Sequence, residues 1–466
     1  MGKQPVTGIT KNQVVEMEVT GMTAEGSGVG RVEGFAVFVP RSAVGDVLRV
    51  KILKRAKSYA VGKIESILTP SSQRIPQDCP HFGSCGGCAF RHIAYEAELA
   101  LKEQRVRDAL ERIGGLDASR IDMEPIHGAQ RLDGYRNKAQ FPIGRGRDGR
   151  LVLGFYAPRS HRIVPCDICL LQPPVFAAAV SVLRDWDAQF PQEVYDEAAG
   201  TGLLRHLYLR WGQATGEVLA CLVINGESVP GEQELARMLR ERVPGLRGFL
   251  INSNREQTNV VLGKSFRTVW GSEEITDVLC GLTFRISPRS FYQVNREQAE
   301  VLYGIAARYA QLAGKETVLD LYCGTGTIGL SMARQAGRVI GVEVEAEAVE
   351  DAKRNAACNG LADAEFFCGD AAAAADRLAK DGVRPDVLIL DPPRKGCAVS
   401  LWDAVEAMQP KRIVYVSCDP ATLARDVKEL GRRGYGVRRV APVDLFPRTA
   451  HVETVVQLYR IRDDAD

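Results

Sequence analysis

The 466-residue chain lacks any run approaching the roughly 18 consecutive apolar residues of a membrane-spanning helix. Its first ten residues, MGKQPVTGIT, lack the apolar core of a secretory signal. Position 6 is Val6, not the hydroxyl residue that myristoylation of Gly2 prefers. Net charge is almost absent: 60 Lys and Arg against 58 Asp and Glu leave +2. That excludes binding of nucleic acid by bulk charge but leaves room for a local basic patch. Internal repeats are missing too, which excludes a solenoid. These absences predict a cytoplasmic protein. In that reducing compartment the twelve cysteines do not read as a disulfide framework, so the informative question is which of them cluster. With 45% hydrophobic and 25% charged residues, wholesale disorder is excluded, and the length suits two to four domains.

Residues 6–68 read as a small all-β barrel. VVEMEV and VLRVKI alternate with period two, and glycine-bearing turns separate them. Residues 1–68 carry ten Lys and Arg against six acids, concentrated in KILKRAK (51–57), with Tyr59 nearby as a stacking partner. A basic barrel of this kind suits nucleic acid. The segment TPSSQRIPQ (69–77) has the composition of a linker. Leu99, Val106, Leu110 and Ile113 predict an amphipathic helix over 93–113 that stops at Gly114-Gly115. Residues 131–162 are strand-rich and basic: Arg131, Arg136, Lys138, Arg145, Arg147, Arg150, Arg159 and Arg162 oppose only Asp133 and Asp148. Together 69–285 form a central α+β domain. From 286 to 466, apolar strands such as TVLDLYC, RVIGVEV, DVLILD and RIVYVSC alternate with helical segments, predicting an α/β, doubly wound parallel sheet.

CPHFGSCGGC places Cys79, Cys85 and Cys88 together, with glycines free to wrap a small inorganic centre. A fourth thiolate is available at Cys166 or Cys169 in VPCDICLLQ. The spacing admits an iron–sulfur cubane, a structural zinc, or plain buried thiols.

VLDLYCGTGTIG gives Gly324, Gly326 and Gly329 in a G-x-G-x-x-G after a strand and before a helix, with Glu343 following the next strand. Alone this is a dinucleotide fingerprint, and an iron–sulfur, NAD-binding oxidoreductase is one reading. Asp320, two residues before Tyr322-Cys323, instead suits an S-adenosylmethionine loop, whose ligand has no pyrophosphate to seat. The later strand ends carry chemistry as well: Asp391-Pro392-Pro393-Arg394, and Cys418-Asp419-Pro420. Ligands sit beyond the carboxyl ends of strands in open α/β sheets. Cys418 stands between a strand and a helix N-terminus, a position predicted to lower its thiol pKa. Arg448, His451 and Glu453 follow in FPRTAHVETVVQLYR. A thiolate and a carboxylate facing one methyl donor fit C5 methylation of a pyrimidine, which needs addition at C6 and then removal of the C5 proton.

In these motifs, with YRNKAQFP, GFYAPRSH, SFYQVN, DPPRKG, SCDP and HVET, the chain resembles the bacterial 23S rRNA (uracil-5-)-methyltransferase family over essentially its whole length. The resemblance implies a TRAM (OB-like) barrel, a central iron–sulfur domain and a Rossmann-like class I methyltransferase domain. It implies Cys79, Cys85, Cys88 and Cys169 as ligands of a [4Fe-4S] cluster, Cys166 having no matching role. It further implies Gln293, Tyr322, Thr327, Glu343, Asp370 and Asp391 as S-adenosyl-L-methionine contacts, Cys418 as nucleophile and Glu453 as base. Its partner would be 23S rRNA, at an unpaired or loop uridine, with no obligate protein partner. Relatives acting on tRNA generally lack the barrel and the cluster cysteines, which favours the ribosomal substrate over the tRNA alternative. A non-catalytic RNA-binding module would leave Cys418 and Glu453 without a role.

Overall fold

The computed structural model describes residues 8–117, 119 and 121–461. Lys3 and the outer ends of the expected first and last domains, residues 6–7 and 462–466, lie outside them. The chain divides into two compact units, Met1–Arg105 with Phe446–His451, and Val106–Leu445 with Val452–Asp466.

In the first unit, six strands lie in the order Val14–Glu18, Val47–Arg55, Tyr59–Thr69, Phe35–Pro40, Ser27–Val32 and Gly21–Met22. The period-two pattern sends Val15 and Met17 inward to meet Val37, Val39, Leu48, Val50 and Ile52. Gly30 lies so close to the Glu18 carbonyl that a Cβ would stand 2.1 Å from it, which is why the curled sheet needs glycine there. Lys54, Arg55 and Lys57 are exposed, and Arg55 lies over the Phe35 ring. The expected linker is docked: Arg74 pairs with buried Asp46 at 2.7 Å, and the Ser71 N–H donates to the same carboxylate. Burial works to raise that acid's pKa, but Arg74 and the N–H groups of Ala43 and Ser71 hold it below its ordinary value. Composition could not reveal this, because the partner lies 28 residues earlier.

The predicted helix forms as Tyr95–Arg112, and the division between the units falls within it. Val106 and Leu110 enter a core, whereas Ile113 stays exposed beyond the helix end.

The second unit holds two large sheets. One has seven strands in the order Ile163–Pro165, Leu151–Tyr156, Lys138–Arg145, Leu204–Trp211, Val218–Ile224, Leu246–Ser253 and Ser265–Gly271. Helices Pro174–Gln189 and Glu232–Arg242 cover one face of it, over Ala139, Phe141, Leu207 and Leu209. The other sheet has eight strands in the order Ala364–Cys368, Arg338–Glu343, Thr317–Leu321, Val387–Leu390, Arg412–Ser417, Glu453–Arg460, Tyr435–Val443 and Asp122–Met123. Helices Ala371–Lys380, Val399–Met408 and Pro420–Arg432 bury one face, and Arg296–Ala310 packs on the other, the doubly wound arrangement.

The doubly wound sheet forms as expected, with one strand that the sequence did not reveal as antiparallel. Glu453–Arg460 runs antiparallel to both Arg412–Ser417 and Tyr435–Val443. The connection from Tyr435–Val443 to Glu453–Arg460 holds no helix with which to cross over, so the chain returns antiparallel beside the strand it has just left.

Candidate active site

Four adjacent strands of the eight-stranded sheet deliver the predicted residues to one edge. Thr317–Leu321 ends at Tyr322 and the glycine loop, Val387–Leu390 at Asp391, and Arg412–Ser417 at Cys418. The fourth strand is the antiparallel one. Ser417 pairs with Thr454, so Glu453, at the start of its strand, falls beside Cys418 at the end of the other. A parallel strand would have carried Glu453 to the opposite edge of the sheet.

Cys418 sits in a braced turn. The Asp419 N–H donates to Ser417 Oγ at 3.2 Å, and the Asp419 carboxylate caps Pro420–Arg432 by accepting from the Ala421 and Thr422 N–H groups. Its thiol pKa is not lowered as the sequence suggested. Burial, with the facing Glu453 and Asp391 carboxylates, pushes it up to about 11 against the opposing pull of Arg394. The helix N-terminus is outweighed by two carboxylates and a desolvated pocket.

Glu453 is 4% exposed, and burial together with Asp391 raises it to about 8, Arg394 again opposing. Burial raises Asp391 to about 7. Asp320, fully enclosed, rises to about 8 through burial and the neighbouring Asp391 and Glu343, against one hydrogen bond from the Gly329 N–H. Its Oδ1 has no hydrogen-bond partner among the described residues. This concentration of carboxylates around the glycine loop suits a cationic ligand. The Glu343 carboxylate also takes the Gly324 N–H, a loop donor that a pyrophosphate would use, which weighs against the dinucleotide reading.

The remaining predicted contacts surround the same loop. Tyr322 adopts a left-handed φ of 66°, a strained conformation for a residue with a Cβ. Glu343 accepts from the Gly324 N–H at 3.0 Å, tying the loop to the second strand's end. Asp370 caps Ala371–Lys380 through Oδ1. Gln293 is buried, its carbonyl accepting from Asn137 Nδ2. Thr327 is also buried, but its hydroxyl lies 3.0 Å from that of Tyr303, an internal bond.

Sequence reasoning gave no role to Arg394, a cation acting on both Cys418 and Glu453, although DPPR displays it within three residues of Asp391. It also missed Asp426. That buried carboxylate accepts from the Cys397 N–H and the Tyr415 hydroxyl, fastening the Asp391–Cys397 segment to the Cys418 strand.

The cysteine tetrad is divided. Cys79, Cys85 and Cys88 belong to the first unit and Cys166 and Cys169 to the second. No set of three or more His, Cys, Asp or Glu side chains is gathered for a metal among the described residues. The donor chemistry nevertheless suits thiolates. The Gly87 N–H donates to Cys85 Sγ at 3.3 Å. A hydrogen bond from Cys166, with help from the Leu171 N–H, draws Cys169 down to about 7, while Cys166 itself is buried with Sγ 3.3 Å from the Ile168 carbonyl.

An open sheet with a glycine loop at its switch point and chemistry at its strand ends defines a methyltransferase fold. Comparison with known proteins makes the class specific. A family model described as tRNA (uracil-5-)-methyltransferase matches residues 274–461, and a TRAM domain model matches 9–64. An uncharacterised RNA methyltransferase of Halalkalibacterium halodurans is 42% identical over 98% of this chain and 99% of its own. One from Caldanaerobacter subterraneus is 44% identical over 96% and 98%. The crystal structure of Pyrococcus abyssi tRNA (uracil-54, C5)-methyltransferase in complex with S-adenosyl-L-homocysteine superposes with a TM-score of 0.76 at 27% identity, covering 95% of this chain and 100% of that one. The chain belongs to the RNA (uracil-5-)-methyltransferase family and is an enzyme of that class, with an N-terminal TRAM domain. Coverage of 95% of this chain by a tRNA enzyme extends into the barrel, so the barrel by itself does not decide between a ribosomal and a tRNA substrate. Among the described residues, no helix is long and apolar enough to cross a membrane.

Proposed function

We propose that this enzyme transfers a methyl group from S-adenosyl-L-methionine to C5 of a uridine in 23S rRNA. The observation that carries the reading is the antiparallel pairing that sets Cys418 and buried Glu453 side by side with Asp391 and Arg394 at the carboxyl edge of the sheet. S-adenosyl-L-methionine supplies an electrophilic methyl on a cationic sulfur, and the acidic surroundings of Asp320, Glu343 and Asp391 complement that charge.

Cys418 loses its proton to solvent and adds to C6 as the thiolate, forming an S–C bond and placing the electron pair of the C5–C6 double bond on C5. C5 takes the methyl group as the donor's methyl–sulfur bond breaks, leaving S-adenosyl-L-homocysteine. Glu453 then removes the C5 proton, the C5–C6 double bond re-forms, and the Cys418 thiolate is expelled. A base with a pKa of about 8 matches that task, because a proton acceptor works best near the operating pH. Arg394 favours the ionised form of both residues. Gln293, Tyr322, Glu343, Asp370 and Asp391 hold the donor. Thr327 contributes through its place in the loop, its hydroxyl being bonded to Tyr303.

Cys79, Cys85, Cys88 and Cys169 are assigned as ligands of a [4Fe-4S] cluster. The N–H that Gly87 donates to Cys85 Sγ is of the kind a ligand thiolate accepts, and the choice of Cys169 over Cys166 rests on the family resemblance. Iron and acid-labile sulfide in anaerobically purified protein, both lost when Cys85 is replaced by Ser, test it. The domain plan is a barrel over 6–68, a central region over 69–285 and a catalytic region over 286–466. It acts in the cytoplasm on RNA.

The cysteine set favours ribosomal RNA, whereas the family model and the Pyrococcus structure favour tRNA as a second reading. Mass mapping of 23S rRNA and tRNA from cells lacking the protein decides between them. Loss of a 5-methyluridine from 23S rRNA is expected, and loss from tRNA alone transfers the substrate to tRNA.

A further inference from the structure

The seven-stranded sheet carries a second site on the face opposite its helices. Ala139, Phe141, Leu207 and Leu209 point into the helix-covered core, so Lys138, Gln140, Tyr208 and Arg210 alternate onto the other side. There they line a cavity of about 480 Å³, closed by Asn254–Lys264 and Pro288–Phe291.

Lys138 and Arg210 are direct cross-strand partners, an arrangement that costs stability when both are charged. Lys138 has no hydrogen-bond or ion-pair partner among the described residues, and burial with Arg210 and Arg136 lowers its pKa to about 8. Arg210 is 3% exposed and held in place: its Nε donates to the Tyr208 hydroxyl at 2.7 Å, and its Nη2 bonds the Pro288 and Ser290 carbonyls. Its Nη1 is buried and has no acceptor among the described residues. The acid in the wall, Glu256, pairs with Lys264 at 3.7 Å, and Arg289 is engaged by Glu347. Two cations held against each other, with donors left over, constitute a site for an anion.

The cavity is too large for a bare phosphate, and among its mostly polar lining Val260, 62% exposed, and Phe291, 58% exposed, offer apolar surface to a base. It also adjoins the reaction site, because the Phe291 carbonyl accepts from Thr325 of the glycine loop at 3.1 Å and Gln293 lies two residues on.

We propose that this cavity binds one nucleotide of the substrate RNA next to the methylated uridine, with Lys138 and Arg210 gripping its phosphodiester. The inference rests on the RNA-methylating reading above and deepens it. It singles out Lys138 from the basic 131–162 stretch, in which Arg145 pairs with Asp187, Arg131 with Glu297 and Arg150 with Asp148.

The test measures binding of a fluorescent single-stranded oligouridylate to the full-length enzyme across a salt series, for wild type, Lys138→Met and Lys138→Arg. Lys138→Met is expected to weaken binding roughly ten-fold and to reduce the salt slope by about one, with Lys138→Arg close to wild type. Affinity for S-adenosyl-L-methionine is expected to stay unchanged, with a melting temperature no lower than wild type. RNA affinity and salt slope unchanged in Lys138→Met would overturn the inference. So would a loss confined to S-adenosyl-L-methionine affinity, which places the cofactor there, or a loss confined to stabilisation by inorganic phosphate, which makes the site one for the free ion. Methyl transfer to uridine by the wild type, measured in parallel, separates this failure from failure of the functional reading itself.

Discussion

At the carboxyl edge of the eight-stranded sheet, Asp391 and Glu453 face Cys418 with Arg394 acting on the pair and Asp320 and Glu343 lie at the adjoining glycine loop, whereas the uncovered face of the seven-stranded sheet sets Lys138 directly against Arg210. Both regions lie in one unit and both concentrate charge of a single sign where water is scarce. They differ in what the charge does. At the acidic edge, burial raises Asp320, Asp391 and Glu453 toward neutrality, with help from neighbouring acids at Asp320 and Glu453, which gives Glu453 the proton affinity of a working base. At the basic face a guanidinium cannot give up its proton, so the repulsion falls on Lys138 and complements an anion. One region is arranged for proton transfer, the other for grip.

The largest effect expected from breaking this contrast is at Cys418. Replacement by Ala removes the atom that adds to C6, and methyl transfer should fall by roughly a thousand-fold or more while RNA still binds. A near wild-type rate in a single-turnover assay would end the mechanism. Next, Glu453→Gln should trap the enzyme after methyl transfer, giving a protein–RNA adduct on denaturing gels and turnover lower by about a hundred-fold or more. Free RNA alone on those gels would remove Glu453 from the role of base.

Acidity supplies a third comparison. Cys418 at about 11 and Glu453 at about 8 must both be deprotonated to act, so the single-turnover rate should climb from about pH 6.5 to 9. A rate flat over that range would show that neither proton is lost in a limiting step. The same burial couples to stability. Folded Glu453 holds its proton more tightly than the unfolded chain does, so its contribution is present below the ordinary carboxyl range and is lost as the pH rises toward about 8. Glu453→Gln should therefore melt several degrees higher than wild type at pH 8.5 and close to it at pH 4.5, read by calorimetry. The smallest effect is structural: Asp419→Ala removes the cap of Pro420–Arg432 at a cost of about 1 kcal/mol in urea titration.

Much of this was legible in the sequence. Period-two alternation gave the barrel core at Val15 and Met17, and apolar runs gave the strands that end at Leu321, Leu390 and Ser417. The cofactor loop was readable because its glycines and Asp320 must be local to one another. The docked segment around Arg74 was not readable, since its partner Asp46 is distant in sequence and Ser-Pro composition looks the same bound or free. Nor was the acidity of Cys418. A helix N-terminus is a local feature, but the carboxylates that override it arrive from two other strands.

The sequence alone determined the residues that can react and the strands that carry them, because side-chain chemistry and hydrophobic period are properties of neighbours along the chain. Tertiary structure decided the direction of the strand that begins at Glu453, and with it whether a base stands beside the nucleophile or at the far edge of the sheet. It also decided that Lys138 faces Arg210. Pairing register is fixed by packing between segments far apart in the chain, and no local pattern encodes it.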